Sequence, residues 1–264
     1  MDDADCMNIL LLSDLHLVSP SDPHLDKQRQ RRHFVGGRKS LPALRRAIED
    51  AAPDVVISLG DLVDWYSDEN RDYALAFLES LGCPWHFTPG NHDAASPGEG
   101  VPAPGLGGWE AAGVAVHNRK LTLGPLEAWL INSHNSAVPE GTGAWLQAHL
   151  NPEAVNAVFT HVPPDVPETC RAILDCEPHR DLNKYVQRGA PGLFARSLED
   201  KVDAVFSGHL HFAAQATRGR TQFHILPLSL HALDKVYPQQ GRIHLLDSES
   251  LACTRIQIEQ EKAR

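Results

Sequence analysis

A chain of 264 residues with 42% hydrophobic content can bury a substantial core, and a formal net charge of -10 excludes the basic surface of a general nucleic-acid binder. Five cysteines, an odd number with no C-x-x-C pair, argue against a disulfide framework and read as reduced thiols of a cytoplasmic protein. The acidic start Met1-Asp2-Asp3-Ala4-Asp5 is the opposite of a signal peptide's basic one, and the apolar run at 9–12 is too short to span a membrane, so no membrane association is expected.

That apolar run reads as the first, fully buried strand, and it delivers Asp14-Leu15-His16 to its end. Residues 20–40 form a polar loop carrying Lys27, Arg29, Arg31, Arg32, Arg38 and Lys39. Such a run is ordinarily solvated, but its place directly after the first motif makes its arginines candidates for a substrate phosphate. Ser40 is placed as an N-cap before a helix whose apolar stripe is Leu41, Leu44, Ile48 and Ala51. The β-branched run at 54–59 is the second strand and runs into Gly60-Asp61-Leu62-Val63-Asp64. Trp65 and Tyr66 follow, expected in the core, and a helix is predicted over 68–81, stopped by Gly82 and Pro84.

A short apolar run then enters a Pro-Gly turn, Pro89-Gly90-Asn91-His92-Asp93, which places an amide oxygen, an imidazole and a carboxylate at one strand end. The glycine- and proline-rich stretch 94–108 is expected to be a mobile loop. Strands are predicted at 114–117, 120–123, 126–131 and 154–160, the last ending at His161, with a helix at 143–150. The connection 162–190 is longer than an ordinary loop and carries Arg171, Arg180, Lys184, Tyr185 and Arg188, which are further specificity candidates. A helix at 191–198 and a strand at 202–206 lead to Gly208-His209-Leu210-His211, and the tail is read as strands at 213–217, 221–226, 242–247 and 251–258. Helices alternating with strands first, then a strand-rich tail, predict α/β layers around two sheets in a single domain, 1–264.

Ten of the fifteen histidines fall outside these motifs and are assigned ordinary surface or core roles. Of the ten, His134, after an apolar strand, is the one with most claim to line a pocket.

The ordered series D-x-H, G-D-x-x-D, G-N-H-D, H and G-H-x-H, complete between residues 14 and 211, resembles the calcineurin-like metallophosphoesterase superfamily. The D-L-H-L opening, the chain length and Val-Pro-Pro after His161 look most like its small bacterial cyclic-nucleotide phosphodiesterases. The resemblance implies two mixed β-sheets packed as a sandwich between helices, a four-layer αββα fold. It implies one metal held by Asp14, His16, Asp61 and His211, and a second held by Asp61, Asn91, His161 and His209, with Asp61 bridging. Such oxygen and imidazole donors suit Mn, Fe, Zn or Co better than Ca. It also implies that His92 faces the substrate, with Asp64 as its partner carboxylate; Asp93 supports the turn in a role left open.

The expected activity is hydrolysis of a small phosphorylated substrate. A phosphodiesterase is favoured over a phosphomonoesterase or pyrophosphatase, partly because the motif turns carry Leu15, Leu62, Val63 and Leu210 and no cation to meet a terminal dianion. Other readings are a metal-free scaffold of the same fold, which would show eroded ligands, and a nuclease, which would show a basic groove; no stable nucleic-acid complex is expected.

Overall fold

The structure is a computed structural model and describes residues 6–98, 101–188, 197–235 and 237–258. The predicted strand at 9–12 is β1 (Asn8–Leu12), and all but its first residue are buried. Its alternate side chains go to opposite layers, Leu10 and Leu12 toward helices, Ile9 and Leu11 toward a second sheet. Burial on both faces explains the continuous apolar run.

The chain continues through α1 (Asp26–Arg31), α2 (Gly37–Ala51), β2 (Val55–Ser58), α3 (Asp68–Glu79) and β3 (Trp85–Phe87). Helix α2 begins at Gly37, ahead of the expected cap, and the Ser40 hydroxyl donates to the His231 carbonyl (3.0 Å). The next elements are α4 (Gly107–Ala111), β4 (Arg119–Leu123), β5 (Leu126–Ile131), α5 (Thr142–His149) and β6 (Val155–Thr160). No strand forms at 114–117: Val114 and Val116 instead pack into the core beneath α2 and α3. The long connection holds α6 (Pro167–Cys176) and α7 (Leu182–Tyr185), while most of the helix expected at 191–198 lies outside the described residues. Strands β7 (Ala204–Ser207), β8 (Ala214–Arg218) and β9 (Thr221–Ile225) follow. A hairpin that the sequence reading missed, β10 (Ala232–Asp234) with β11 (Tyr237–Gln239), precedes β12 (Arg242–Asp247) and β13 (Cys253–Gln257).

Two mixed sheets result, ordered β13-β12-β1-β2-β3 and β4-β5-β6-β7-β9-β8. Ile9, Leu11, Val55 and Ile57 of the first meet Leu126, Ala128, Phe159 and Phe206 of the second, forming the sandwich interior. The outer face of the first sheet packs on Leu44 and Ile48 of α2 and Phe77 and Leu78 of α3, and that of the second on Leu146 of α5. Each such fully buried side chain contributes about 1.5–3 kcal/mol to holding the layers together. The order is helix, sheet, sheet, helix. Among the described residues no helix is long and apolar enough to cross a membrane.

Candidate metal centre

All five motif turns lie at the C-terminal ends of strands that run parallel to a neighbour: β1, β2 and β3 in one sheet, β6 and β7 in the other. Functional loops of α/β sheets collect at such ends. The turns after β1 and β2 continue the parallel ladder, Asp14 N–H donating to the Gly60 carbonyl (3.1 Å) and His16 N–H to that of Asp61 (2.9 Å). Space at the crossing is so small that a Cβ on Gly90 would lie 2.2 Å from Asp61 Oδ1. One on Gly208 would lie 2.2 Å from Ser13 Oγ and 2.5 Å from Asp14 Oδ2, so glycine is required at both.

Five of the seven predicted ligands adopt left-handed backbone: Asp14 (φ 54°), His16 (45°), Asp61 (52°), His209 (73°) and His211 (64°). Non-glycine residues avoid this region unless their surroundings impose it, and here it turns the side chains back into one pocket.

The pocket has two halves. In the first, Asp14, His16 and His211 bring one donor atom each within 4.8 Å of one another, His211 Nε2 lying 3.6 Å from Asp14 Oδ1 and 3.2 Å from His16 Nε2. In the second, Asp61, His161 and His209 do the same, and Asn91 Oδ1 lies 3.1 Å from His161 Nε2. Asp61 Oδ2 joins them, 3.7 Å from His16 Nε2 and 3.2 Å from His161 Nε2, while its Oδ1 accepts the His92 N–H (2.8 Å). The structure thus brings all seven predicted ligands together, with Asp61 between the halves.

The hydrogen bonds on the far side of each ring decide which nitrogen points inward. His161 Nδ1 bonds the Leu59 carbonyl (2.8 Å), and His209 Nε2 the Lys184 carbonyl (3.4 Å). His211 Nδ1 bonds Asp234 Oδ2 (3.2 Å). His16 Nδ1 is buried with no hydrogen-bond partner, 3.8 Å from Asp64 Oδ1, which also lacks one. In the neutral rings, with the outer nitrogens of His161, His209 and His211 donating, the inner ones of these three carry lone pairs, and ring nitrogens face each other at 3.2 Å in each half: His16 Nε2 to His211 Nε2, and His161 Nε2 to His209 Nδ1. Ring nitrogens so opposed, beside two carboxylates, fit a cation in each half.

The electrostatics agree. Burial disfavours charged imidazoles here, yet Asp61 and Asp64 lift His92 to about 10 and Asp61 lifts His161 to about 9. Hydrogen bonds to Asp14 and Asp234 likewise outweigh burial at His211, at about 9. His209 goes the other way, to about 3, through burial and the charge of His161. The carboxylates therefore draw positive charge into a pocket that burial would otherwise keep neutral.

His92 lies beside the ligands, with Nδ1 2.8 Å from the Asp64 carbonyl and 3.3 Å from Asp64 Oδ1. The tightest partner of the Asp64 carboxylate is Arg31, at 2.6 Å and lying over the Trp65 ring; it ends α1, since the basic stretch expected as a loop over 20–40 holds that helix and the start of α2. Asp93 is fully buried and accepts from the N–H groups of Asp61 (2.8 Å), Gly90 (2.8 Å) and Val63 (3.2 Å). This pins two motif turns together and gives Asp93 the role that the sequence left open.

Leu15, Leu62, Val63 and Leu210 are at most 2% exposed and point into the cores, so they do not form the pocket rim as the sequence argument assumed. Against the first half pack residues to which the sequence reading gave no site role. Phe34 stacks on His16 (ring centroids 3.5 Å, planes 2° apart) and turns its ring edge-on to His92 and His211. His33 and Asp234 stand behind it, His33 Nδ1 lying 3.1 Å from Asp234 Oδ1. Of the connection's candidates, Tyr185 contacts the His209 ring, and Arg180 lies over Tyr185 at 4.2 Å. His134 bonds Asn132 (2.8 Å), and its pKa is lowered by burial and, less, by the charge of His161.

Similarity to solved structures runs over nearly the whole chain. A dimetal phosphatase from Danio rerio is 15% identical, covering 96% of this chain and 99% of its own, with a TM-score of 0.60. A protein from Thermus thermophilus is 14% identical over 97% and 100%, at a TM-score of 0.57. The phosphopantetheinyl hydrolase of Mycobacterium tuberculosis is 14% identical over 84% and 89%, at 0.53. At such identities the likeness is one of fold. No curated protein matches the chain. The sequence model of the calcineurin-like phosphoesterases, however, matches residues 7–213, a span that contains every ligand of the two-halved pocket. By that match the chain belongs to the calcineurin-like phosphoesterase family.

Proposed function

We propose that the protein is a dinuclear metal-dependent phosphoesterase acting on small phosphodiesters, of nucleotide type or similar. The observation that carries the reading is Asp61 Oδ2 facing both His16 and His161 across two opposed imidazole pairs. Asp14, His16, Asp61 and His211 would hold one ion, and Asp61, Asn91, His161 and His209 the other. When bound, two divalent transition-metal ions (Mn, Fe, Zn or Co) would acidify an attacking water and neutralise phosphoryl oxygens.

The chain's own groups supply the rest. His92 donates through Nδ1 to the Asp64 carbonyl, which leaves Nε2 for a substrate oxygen. Beside the Asp64 carboxylate, at 3.3 Å from its Oδ1, it is placed to hold the proton that it would give to the leaving group. Phe34 excludes water from the His16 side of the pocket. Five free thiols support a reducing, cytoplasmic setting.

Preference for a diester rests on the rim. Phe34 brings no charge and the Arg31 guanidinium is already opposed by Asp64, which leaves His92 to meet a substrate oxygen and little further positive charge for a terminal dianion. The Arg31 side chain is nevertheless 41% exposed, which keeps phosphomonoester hydrolysis as the second reading. A comparison of bis-p-nitrophenyl phosphate with p-nitrophenyl phosphate in the presence of Mn²⁺ decides. The diester is expected to show the higher kcat/KM, and the reverse order overturns the preference while leaving the metal centre standing.

A further inference from the structure

We propose that Asp234, on the β10–β11 hairpin, is a positioning residue that fixes His211 with its Nε2 toward the first half of the pocket. The proposal rests on reading that pocket as a metal centre. Asp234 Oδ2 lies 3.2 Å from His211 Nδ1, on the side of the ring away from Asp14 and His16. Its side chain is 11% exposed, so the bond is shielded from competing water. An acceptor at Nδ1 puts the ring hydrogen there and the lone pair on Nε2. A carboxylate does this more strongly than a carbonyl and also raises the basicity of the inner nitrogen.

Asp234 is itself held in place. Its other oxygen, Oδ1, lies 3.1 Å from His33 Nδ1 without a hydrogen bond between them, so it is the backbone that does the holding. The preceding residue, Leu233, exchanges two backbone hydrogen bonds with Val35 (2.8 and 3.0 Å), tying β10 to the segment that seats Phe34 on His16. Two sides of the first half, the His211 side and the His16 side, are thus fixed by one short strand pairing. On its outer nitrogen the other ring of the same motif, His209, meets the Lys184 carbonyl at 3.4 Å.

The test compares Asp234→Asn and Asp234→Ala with His211→Ala and the unaltered protein. Affinity for each of two Mn²⁺ ions is measured by chelator competition, and the visible spectrum is recorded after Co²⁺ substitution. Loss of such an outer partner weakens a metal ligand by roughly 10–100-fold. The expected result is that decrease for one ion in Asp234→Ala and a smaller one in Asp234→Asn. The second ion should be retained, and the Co²⁺ bands of a single site should shift. Unchanged affinity in Asp234→Ala alongside loss of one ion in His211→Ala overturns the proposal. So does equal weakening of both ions with a lowered melting temperature, which marks a merely structural residue. If His211→Ala itself keeps both ions, it is the metal reading of this half that fails. Should the alanine variant not fold, the nearly isosteric Asp234→Asn carries the same comparison, with a decrease confined to one ion for the proposal and none against it.

Discussion

The two halves of the pocket hold their histidines by different means. His161 and His209 hydrogen-bond outward to backbone carbonyls, those of Leu59 at the end of β2 and Lys184 in α7. In the other half the surroundings are side chains: Asp234 behind His211, Asp64 and the stacked Phe34 around His16. A carbonyl fixes a ring's tautomer and nothing more, whereas a carboxylate also adds charge and donor strength. One half is therefore built mainly by backbone, the other by particular residues lent from the turn after β2, the turn after α1 and the β10–β11 hairpin.

The sharpest way to break this comparison is to remove what the halves share. Asp61→Asn takes away the carboxylate whose Oδ2 faces both, so metal content measured by mass spectrometry is expected to fall in both halves and activity to drop to background. Retention of two ions per chain would show the halves to be independent.

His92→Ala tests chemistry apart from either half. Metal content should stay near that of the unaltered protein while kcat falls by about 10²–10⁴-fold. Asp64→Asn should act in the same direction but more weakly, because the hydrogen bond from His92 goes to the backbone carbonyl, which the change preserves. Metal loss in His92→Ala would instead add His92 to the ligands.

Asp93→Ala asks whether the shared carboxylate needs its turns pinned. It strands the N–H groups of Asp61, Gly90 and Val63, and buried unsatisfied donors cost about 1–3 kcal/mol each. Urea unfolding of the metal-free protein should show a loss of at least ~3 kcal/mol. A loss below ~1 kcal/mol would mean that the turns hold without it.

The mildest test separates acid effects on the pocket from those elsewhere. His244, in the sandwich away from the motif turns, is pushed down to about 4 by burial and by Arg255. Its folded value lies below its unfolded value near 6.5, so the unfolded state takes up the proton first. Stability is then complete above about pH 6.5 and is lost as pH falls toward about 4, by roughly 2–3 kcal/mol. His244→Gln should remove that part of the acid sensitivity in metal-free protein. An unchanged pH profile would place the sensitivity in the pocket instead.

How much of this was legible in the sequence follows the same division. Strand-borne features were readable because apolar runs of 4–6 residues end in polar turns, and turn order fixes which side chains meet. Helix α3 was legible from its apolar spacing and from Gly82. Asp234, His33 and Phe34 were not. Each sits in a segment without periodicity, β10 is only three residues long, and pairing between Val35 and Leu233 spans nearly 200 positions. No local signal distinguishes such residues from solvated ones. The rim leucines misled for a related reason: adjacency to a ligand in sequence says nothing of direction when the backbone turns left-handed between them.

Those left-handed turns also bear on engineering. Each non-glycine residue held there costs about 1–2 kcal/mol, so five of them consume a sum comparable with the whole net stability of an ordinary domain. Substituting glycine would relieve the backbone and delete the donor atom in the same stroke. Attempts to raise the melting temperature should therefore leave the sheet ends alone. The more rewarding places are the helix caps and the outer faces, where gains do not have to be traded against the catalytic geometry.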